Sequence, residues 1–277
     1  MCFCTYHLRT SMIRVLFIGD VVGHLGRATV GKILPNLKKQ RKIDLCIANG
    51  ENLAGGRGLT SEAVNEVIRY GVDLFTGGDH TFWKRDFVDE ISKLPVLKCI
   101  NLKKEYPGYG FVETQILGAK ILVISVLGTA SSFIREEAEN PFSYMDAFLK
   151  EHKEKENNKV ILVDFHAEAS SEKVALGWFL DGRVTAVCGT HTHIPSCDFR
   201  VLPNGTAYIT DLGMVGSSEG VIGVKRDIII DRFLKNDLRP FEWVRSGRAV
   251  FNSVLIEINE WTGEAQSIER IDEVIEA

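Results

Sequence analysis

Short, almost wholly apolar runs punctuate the chain, and several are followed by stretches with helical spacing. Ile13–Gly19, Leu45–Asn49, Val72–Thr76, Val96–Ile100, Lys120–Leu127, Val160–Phe165 and Val184–Gly189 read as strands. Runs this uniformly apolar suit strands buried on both faces, so the alternation predicts an α/β fold with helices covering the sheet. Gly26–Gln40 is the first helix, kinked or shifted at Pro35. Thr60 or Ser61 caps the next, whose apolar face is Val64, Val67 and Ile68, and Gly71 ends it in the left-handed conformation. A further helix lies between the last two strands named. Phe199–Leu202 and Ala207–Thr210 form a hairpin around Pro203-Asn204-Gly205-Thr206, and Ala249–Ile258 is a late strand. The charged stretch His152–Lys159 is a solvated helix end or loop. With no internal repeat, low-complexity segment or linker, residues 12–277 read as a single domain. Residues 1–11 have no usable period and read as an N-terminal extension, disordered or the product of a mis-assigned start, with Met12 as the native first residue.

Composition narrows the class. A 277-residue chain that is 45% apolar and 25% charged can bury a sizeable core, which excludes disorder. A net charge of -4 argues against a generic nucleic-acid binder, because that mode needs clustered cations. No apolar run approaches the roughly 18–20 residues of a membrane span. The six cysteines are too sparse for a disulfide scaffold, and Cys2-x-Cys4 forms no zinc pattern. Cys188 and Cys197 read as core packing, and the reducing cytoplasm is the expected compartment.

The residues just beyond the strands carry the chemistry. Asp20 stands beyond the first, Glu51 and Asn52 beyond the second, Asp79 and His80 beyond the third. His166 comes directly after Val160–Phe165, and His191-x-His193 after Val184–Gly189. Each residue alone has an ordinary reading as a turn former or a satisfied buried histidine. Together they put metal-ligand types at strand end after strand end, where open α/β sheets bind ligands. Carboxylates, an amide and imidazoles suit Fe, Mn or Zn and lack the thiolates of structural zinc sites. They are too many for one ion, so a two-metal site with a bridging carboxylate is the economical reading, able to clamp an in-line phosphoryl displacement. His191 and His193, two apart on an extended segment, project to one side and can each take one ion.

Gly19-Asp20-Val21-Val22-Gly23, the stretch from Ala48 to Gly58, Gly78-Asp79-His80, Asp164-Phe165-His166-Ala167-Glu168, Gly189-Thr190-His191-Thr192-His193 and Tyr208–Met214 resemble the successive motifs of the YmdB-like branch of the calcineurin-type metallophosphoesterases. The resemblance covers nearly all of the chain after Met12. It implies a sandwich of two mixed β-sheets flanked by helices, a di-iron centre, and phosphodiesterase activity on cyclic nucleotides, notably 2′,3′-cyclic ones. Carried over by position, it implies one ion held by Asp20, Glu51, Asn52 and His193. Glu51 would bridge to a second ion completed by Asp79, His166 and His191, with His80 as proton donor to the leaving oxygen. Iron is the expected metal, with manganese or zinc as alternatives. The wider superfamily has a histidine where this chain has Val22. Two departures stand out within the branch: Asp79 replaces the usual asparagine, adding a negative charge against the second ion, and Glu105-Tyr106-Pro107-Gly108-Tyr109-Gly110 is a compressed version of a longer loop.

The expected mechanism is attack of a metal-bridging hydroxide on phosphorus, with His80, whose ordinary pKa is about 6.5, as general acid. The glycine-rich Gly55–Thr60 segment leads into a helix N-terminus but is not a P-loop. Arg57 is a candidate substrate contact, Lys84 and Arg85 weaker ones, and Asp211 a candidate for orienting a histidine. Two alternatives stay open: a phosphomonoesterase or protein phosphatase on the same site, and a catalytically weak regulator acting through RNA or protein partners. The expected partner is a small phosphodiester; a homo-oligomer is compatible with the sequence, although no heptad or self-complementary patch marks an interface.

Overall fold

The computed structural model describes residues 12–103, 106–130, 138–155 and 160–276. The extension 1–11, Glu105 of the compressed loop and residues 156–159 of the charged stretch lie outside the described residues. The chain runs β1 (Met12–Val21), α1 (Gly23–Gln40), β2 (Leu45–Asn49), α2 (Ser61–Tyr70), β3 (Leu74–Thr76), β4 (Phe111–Ile116), β5 (Ala119–Leu127) and α3 (Pro141–Lys155). It continues through β6 (Val160–His166), α4 (Ser170–Leu180), β7 (Ala186–Thr190), β8 (Arg200–Val201), β9 (Ala207–Ile209), β10 (Met214–Ser217), α5 (Arg226–Lys235), β11 (Arg248–Asn259) and β12 (Ala265–Glu276).

Among these residues the strands form two six-stranded mixed sheets, ordered β12-β11-β10-β1-β2-β3 and β4-β5-β6-β7-β9-β8. Each has a parallel centre, with antiparallel strands at one side of the first and at both edges of the second. The packing explains the apolar runs. Val15 and Phe17 of β1 and Ile47 of β2 face Ile121, Val123, Leu162, Cys188 and Ile209 across the gap between the sheets. The intervening Leu16, Ile18, Cys46 and Ala48 point the other way, onto Val30, Ile33, Leu34 and Leu37 of α1 and Val64 and Val67 of α2. On the second sheet Leu122, Ile124, Val163 and Phe165 pack on Met145 and Leu149 of α3 and Leu176 and Leu180 of α4. Strands covered on both faces cannot alternate apolar with polar.

Local signals behave as their chemistry dictates. Thr60 Oγ1 accepts the Ala63 N–H at 3.3 Å, and Gly71 ends α2 at φ 111°. The hairpin forms with Arg200 opposite Tyr208 and Val201 opposite Ala207. Three expectations change. Helix α1 begins at Gly23 rather than Gly26, while its end at Gln40 with Pro35 inside is as read, its buried stripe outweighing the one lost N–H. Val96–Ile100 is not a strand: β3 spans only three residues, and Val96 joins it by a single bridge at Phe75. Cys188 is fully buried, but Cys197 lies in the irregular approach to β8 and is exposed. Among the described residues no helix is long and apolar enough to cross a membrane.

Candidate metal centre

Asp20 lies near the end of β1 and Asn49 closes β2 beside it in register, while His166 closes β6 and Thr190 closes β7, also in register. The adjoining loops bring Glu51, Asn52, Asp79, His80, His191 and His193 onto the same spot. Gly78 is required there, since a Cβ would stand 2.2 Å from Glu51 Oε2 and 2.4 Å from His166 Nε2. His191 and His193 both adopt positive φ, 99° and 65°, an uncommon conformation for residues with a side chain and one that functional sites concentrate. The segment is therefore not extended, and the two rings meet different partners, His191 reaching His166 and Asp79, and His193 reaching Asn52 and Asp20.

These contacts form two clusters that meet at Glu51. In one, His166 Nε2 is 3.0 Å from Asp79 Oδ1, 3.3 Å from Glu51 Oε2 and 3.0 Å from His191 Nδ1, and one donor atom from each of these four residues fits within a 4.8 Å span. In the other, His193 Nε2 stands 3.8 Å from Asp20 Oδ1 and 3.3 Å from the Asn52 amide, which also contacts Glu51 Oε1 at 2.9 Å. The amide turns its nitrogen inward; holding a cation takes its oxygen end, reached by turning the group over. His80 sits against both carboxylates: Nδ1 lies 2.9 Å from Glu51 Oε1, its backbone N–H donates to Glu51 Oε2 at 2.8 Å, and Nε2 is 3.7 Å from Asp79 Oδ2.

The hydrogen bonds behind each ring fix which nitrogen faces inward. His166 Nδ1–H donates to Thr190 Oγ1 at 2.9 Å, and that hydroxyl donates to Asp164 Oδ1 at 2.7 Å. His191 Nε2 pairs with Glu168 at 2.9 Å, and His193 Nδ1–H donates to the Ile222 carbonyl at 3.3 Å. Each histidine thus turns a free nitrogen to the cluster, as metal-ligating histidines do. Asp164, Glu168 and Thr190 fall inside recognisable motifs, yet nothing in the sequence pattern assigns them a role. Among the described residues Asp211 meets no histidine ring. It accepts the Thr192 N–H at 3.2 Å and pairs with Lys173, whose Nζ also donates to the Thr190 carbonyl at 2.6 Å. A lysine on a helix gives no sign in sequence of being 1% exposed beneath the histidine loop. Lys173→Met, which leaves the Asp211 charge buried alone, is expected to lower the unfolding free energy by about 3–5 kcal/mol. Urea unfolding measures this, and an unchanged midpoint would show that the pair contributes nothing.

The electrostatics of the cluster call for positive charge. Burial disfavours the charged His166 ring, yet the Glu51 charge, the Asp79 hydrogen bond and charge and the Asp20 charge push its pKa up to about 10. Burial raises the Asp20 carboxyl despite the facing His193 and His166. Burial also works against ionised Glu51, but the His166 charge and the His80 hydrogen bond hold it below the ordinary carboxylate range. Asp20 Oδ1 is buried without a hydrogen-bond partner. An orphaned carboxylate oxygen amid nitrogen and oxygen donors fits metal cations, which displace the protons that otherwise balance the site. Asp20, Glu51, Asn52 and His193 have the chemistry to hold one cation, and Glu51, Asp79, His166 and His191 another.

The Arg57 guanidinium lies 5.1 Å from the ring centroids of both Trp83 and Phe241, and Lys84 and Arg85 are exposed at the start of a short 3-10 turn. In the compressed loop Tyr106 stacks on Phe82 at 4.4 Å.

The chain is similar to several known proteins. A Bacillus subtilis (strain 168) protein named 2′,3′-cyclic-nucleotide 2′-phosphodiesterase is 42% identical over 260 residues, 94% of this chain and 96% of the relative. A crystal structure described as a novel phosphatase from Mycoplasma pneumoniae superposes with a TM-score of 0.90 at 33% identity, covering 96% of this chain and 95% of the other. A crystal structure of a Thermus thermophilus protein gives a TM-score of 0.87 at 36% identity, covering 96% of this chain and 100% of that one. The sequence model of the family described as YmdB-like protein matches residues 16–271, and the chain belongs to that family.

Proposed function

We propose that the protein is a dimetal phosphodiesterase that hydrolyses cyclic nucleotides, with 2′,3′-cyclic nucleotides as its preferred class. The observation that carries the reading is the pair of clusters meeting at Glu51 with His80 across them. The activity named for the Bacillus subtilis relative supports the substrate class. Iron is the proposed metal, manganese or zinc the alternatives.

Bound cations would supply charge neutralisation for the phosphate oxygens and a water acidified to a pKa of about 7. The protein's own residues do the rest. Glu51 draws the two clusters together and fixes the His80 ring through Nδ1. That leaves Nε2 as the end able to give a proton to a leaving oxygen. Burial disfavours the charged ring, but the Glu51 hydrogen bond and the Glu51 and Asp79 charges keep the proton on His80. Asp79 contributes here because its second oxygen faces Nε2, where an asparagine amide would have carried no charge. The Thr190–Asp164 relay and Glu168 hold His166 and His191 in the tautomers that leave the inward nitrogens free to ligate.

The description of the Mycoplasma pneumoniae structure as a phosphatase favours a second reading, monoester hydrolysis at the same residues. Metal-reconstituted protein assayed on bis-p-nitrophenyl phosphate, p-nitrophenyl phosphate and a panel of 2′,3′- and 3′,5′-cyclic nucleotides separates the two. The diesterase reading expects turnover of the 2′,3′-cyclic substrates with release of the 3′-phosphate. Preference for the monoester would replace it, and inactivity at full metal content would leave a regulatory protein.

A further inference from the structure

The metal-centred chemistry leaves idle an aromatic wall beside His80. The Trp83 indole meets His80 edge-on, with ring centroids 5.5 Å apart and planes at 89°, and Trp83 is 57% exposed. It stands at the end of a column. Arg57 lies between Trp83 and Phe241, and Arg232 covers Phe241 at 4.5 Å from the ring centroid. Alternating guanidinium and aromatic layers attract one another and restrict the rings they contact. Beneath the column Gly58 is pressed so close that a Cβ would stand 2.8 Å from Lys84 Cγ and 3.1 Å from Trp83 Cβ. The fold therefore holds a large apolar ring in place at the mouth of the site while leaving much of it in water, where its transfer free energy is unrealised.

We propose that Trp83 is the platform on which the substrate's nucleobase stacks, and that this stacking decides which of the two ester bonds breaks. The inference rests on the cyclic-nucleotide reading of the site. In a 2′,3′-cyclic nucleotide the base hangs from C1′, next to C2′ and one carbon further from C3′. When O2′ takes the His80 proton, the base must lie on the His80 side of the phosphate, where Trp83 stands. Seating the base there presents O2′ to His80 and turns O3′ away. The water oxygen then bonds to phosphorus and the P–O2′ bond breaks. Its electron pair goes to O2′ together with the His80 proton, the proton released by the water restores His80, and O3′ keeps the phosphate.

Trp83→Leu and Trp83→Phe in the full metal-reconstituted chain test this against 2′,3′-cyclic AMP and a base-free methyl riboside 2′,3′-cyclic phosphate. Base stacking on an aromatic side chain predicts that Trp83→Leu lowers kcat/KM for the adenine nucleotide by about 5- to 100-fold. The loss on the base-free substrate should be several-fold smaller, and Trp83→Phe should recover most of the activity. The product of Trp83→Leu should shift from 3′-phosphate alone to a mixture with 2′-phosphate, a ratio that does not depend on how much protein is folded. Quenching of tryptophan fluorescence by 3′-AMP should be lost in the same variant. Equal losses on both substrates, or an unchanged product ratio, would overturn the platform while leaving the diesterase reading intact. A wild-type protein that cleaves bis-p-nitrophenyl phosphate but no cyclic nucleotide would instead overturn the substrate class, and the platform with it.

Discussion

Glu51→Gln is expected to lose bound metal and phosphodiester hydrolysis together, the latter by at least about 10²- to 10³-fold, the scale of one lost charge-stabilising group. Glu51 is 1% exposed, and its two oxygens serve different neighbours. Oε1 accepts from the Asn52 amide and the His80 ring, while Oε2 accepts the His80 backbone N–H and lies 3.3 Å from His166 Nε2. Glutamine keeps the shape but replaces one acceptor by an NH₂ group. Whichever way the amide turns, that group meets a donor, and the negative charge between the clusters is gone. Metal content by elemental analysis and turnover of bis-p-nitrophenyl phosphate are the measurements. A variant that kept its metal and its rate would remove Glu51 from the bridging role.

His80→Ala should act differently. General acid catalysis is worth about 10²- to 10⁴-fold, and the loss should fall on substrates whose leaving oxygen needs a proton. A ribose alkoxide needs one, whereas p-nitrophenolate departs without help. The variant should therefore be crippled on 2′,3′-cyclic nucleotides and only mildly slowed on bis-p-nitrophenyl phosphate. Because His80 also donates to Glu51, metal content has to be measured in parallel, so that a change in ligation is not mistaken for a lost proton. Equal losses on both substrates at unchanged metal content would rule out proton donation by His80.

Much of the site was legible because its chemistry is written at strand ends. Asp20, Glu51, Asp79, His166 and His191 each come after an apolar run, and the fold brings them within hydrogen-bonding distance of one another. Helix α2 was legible for a local reason, a threonine cap and a glycine stop. What escaped depended on contacts made across the chain. Strand β12 is an edge strand whose exposed residues are polar apart from Val274, and its register is set by pairing with β11, so no apolar run announces it. Strand β10 is a four-residue piece held between β1 and β11. Val96–Ile100 looked like a strand by apolarity alone, but Phe75 already spends its N–H on the Pro95 carbonyl and its own carbonyl on the Leu97 N–H, and β3 ends one residue later. The buried pair of Lys173 and Asp211 lies 38 residues apart in sequence, beyond the reach of any motif.

The donor set is drawn from both layers: Asp20 and Glu51 come from strands of one sheet and their loops, His166 and His191 from the other. Elsewhere the sheets meet largely through apolar side-chain packing, with a few hydrogen bonds across the gap such as Asn49 Nδ2–H to Asp164 Oδ2 at 3.1 Å, and packing resists sliding less sharply than a directional bond. Cations coordinated from both sides would rivet the sandwich at its functional end. Occupancy and mechanical stiffness would then be one property, and free metal would stabilise the native chain by RT ln(1 + [M]/Kd), about 2.7 kcal/mol at a hundred times the dissociation constant.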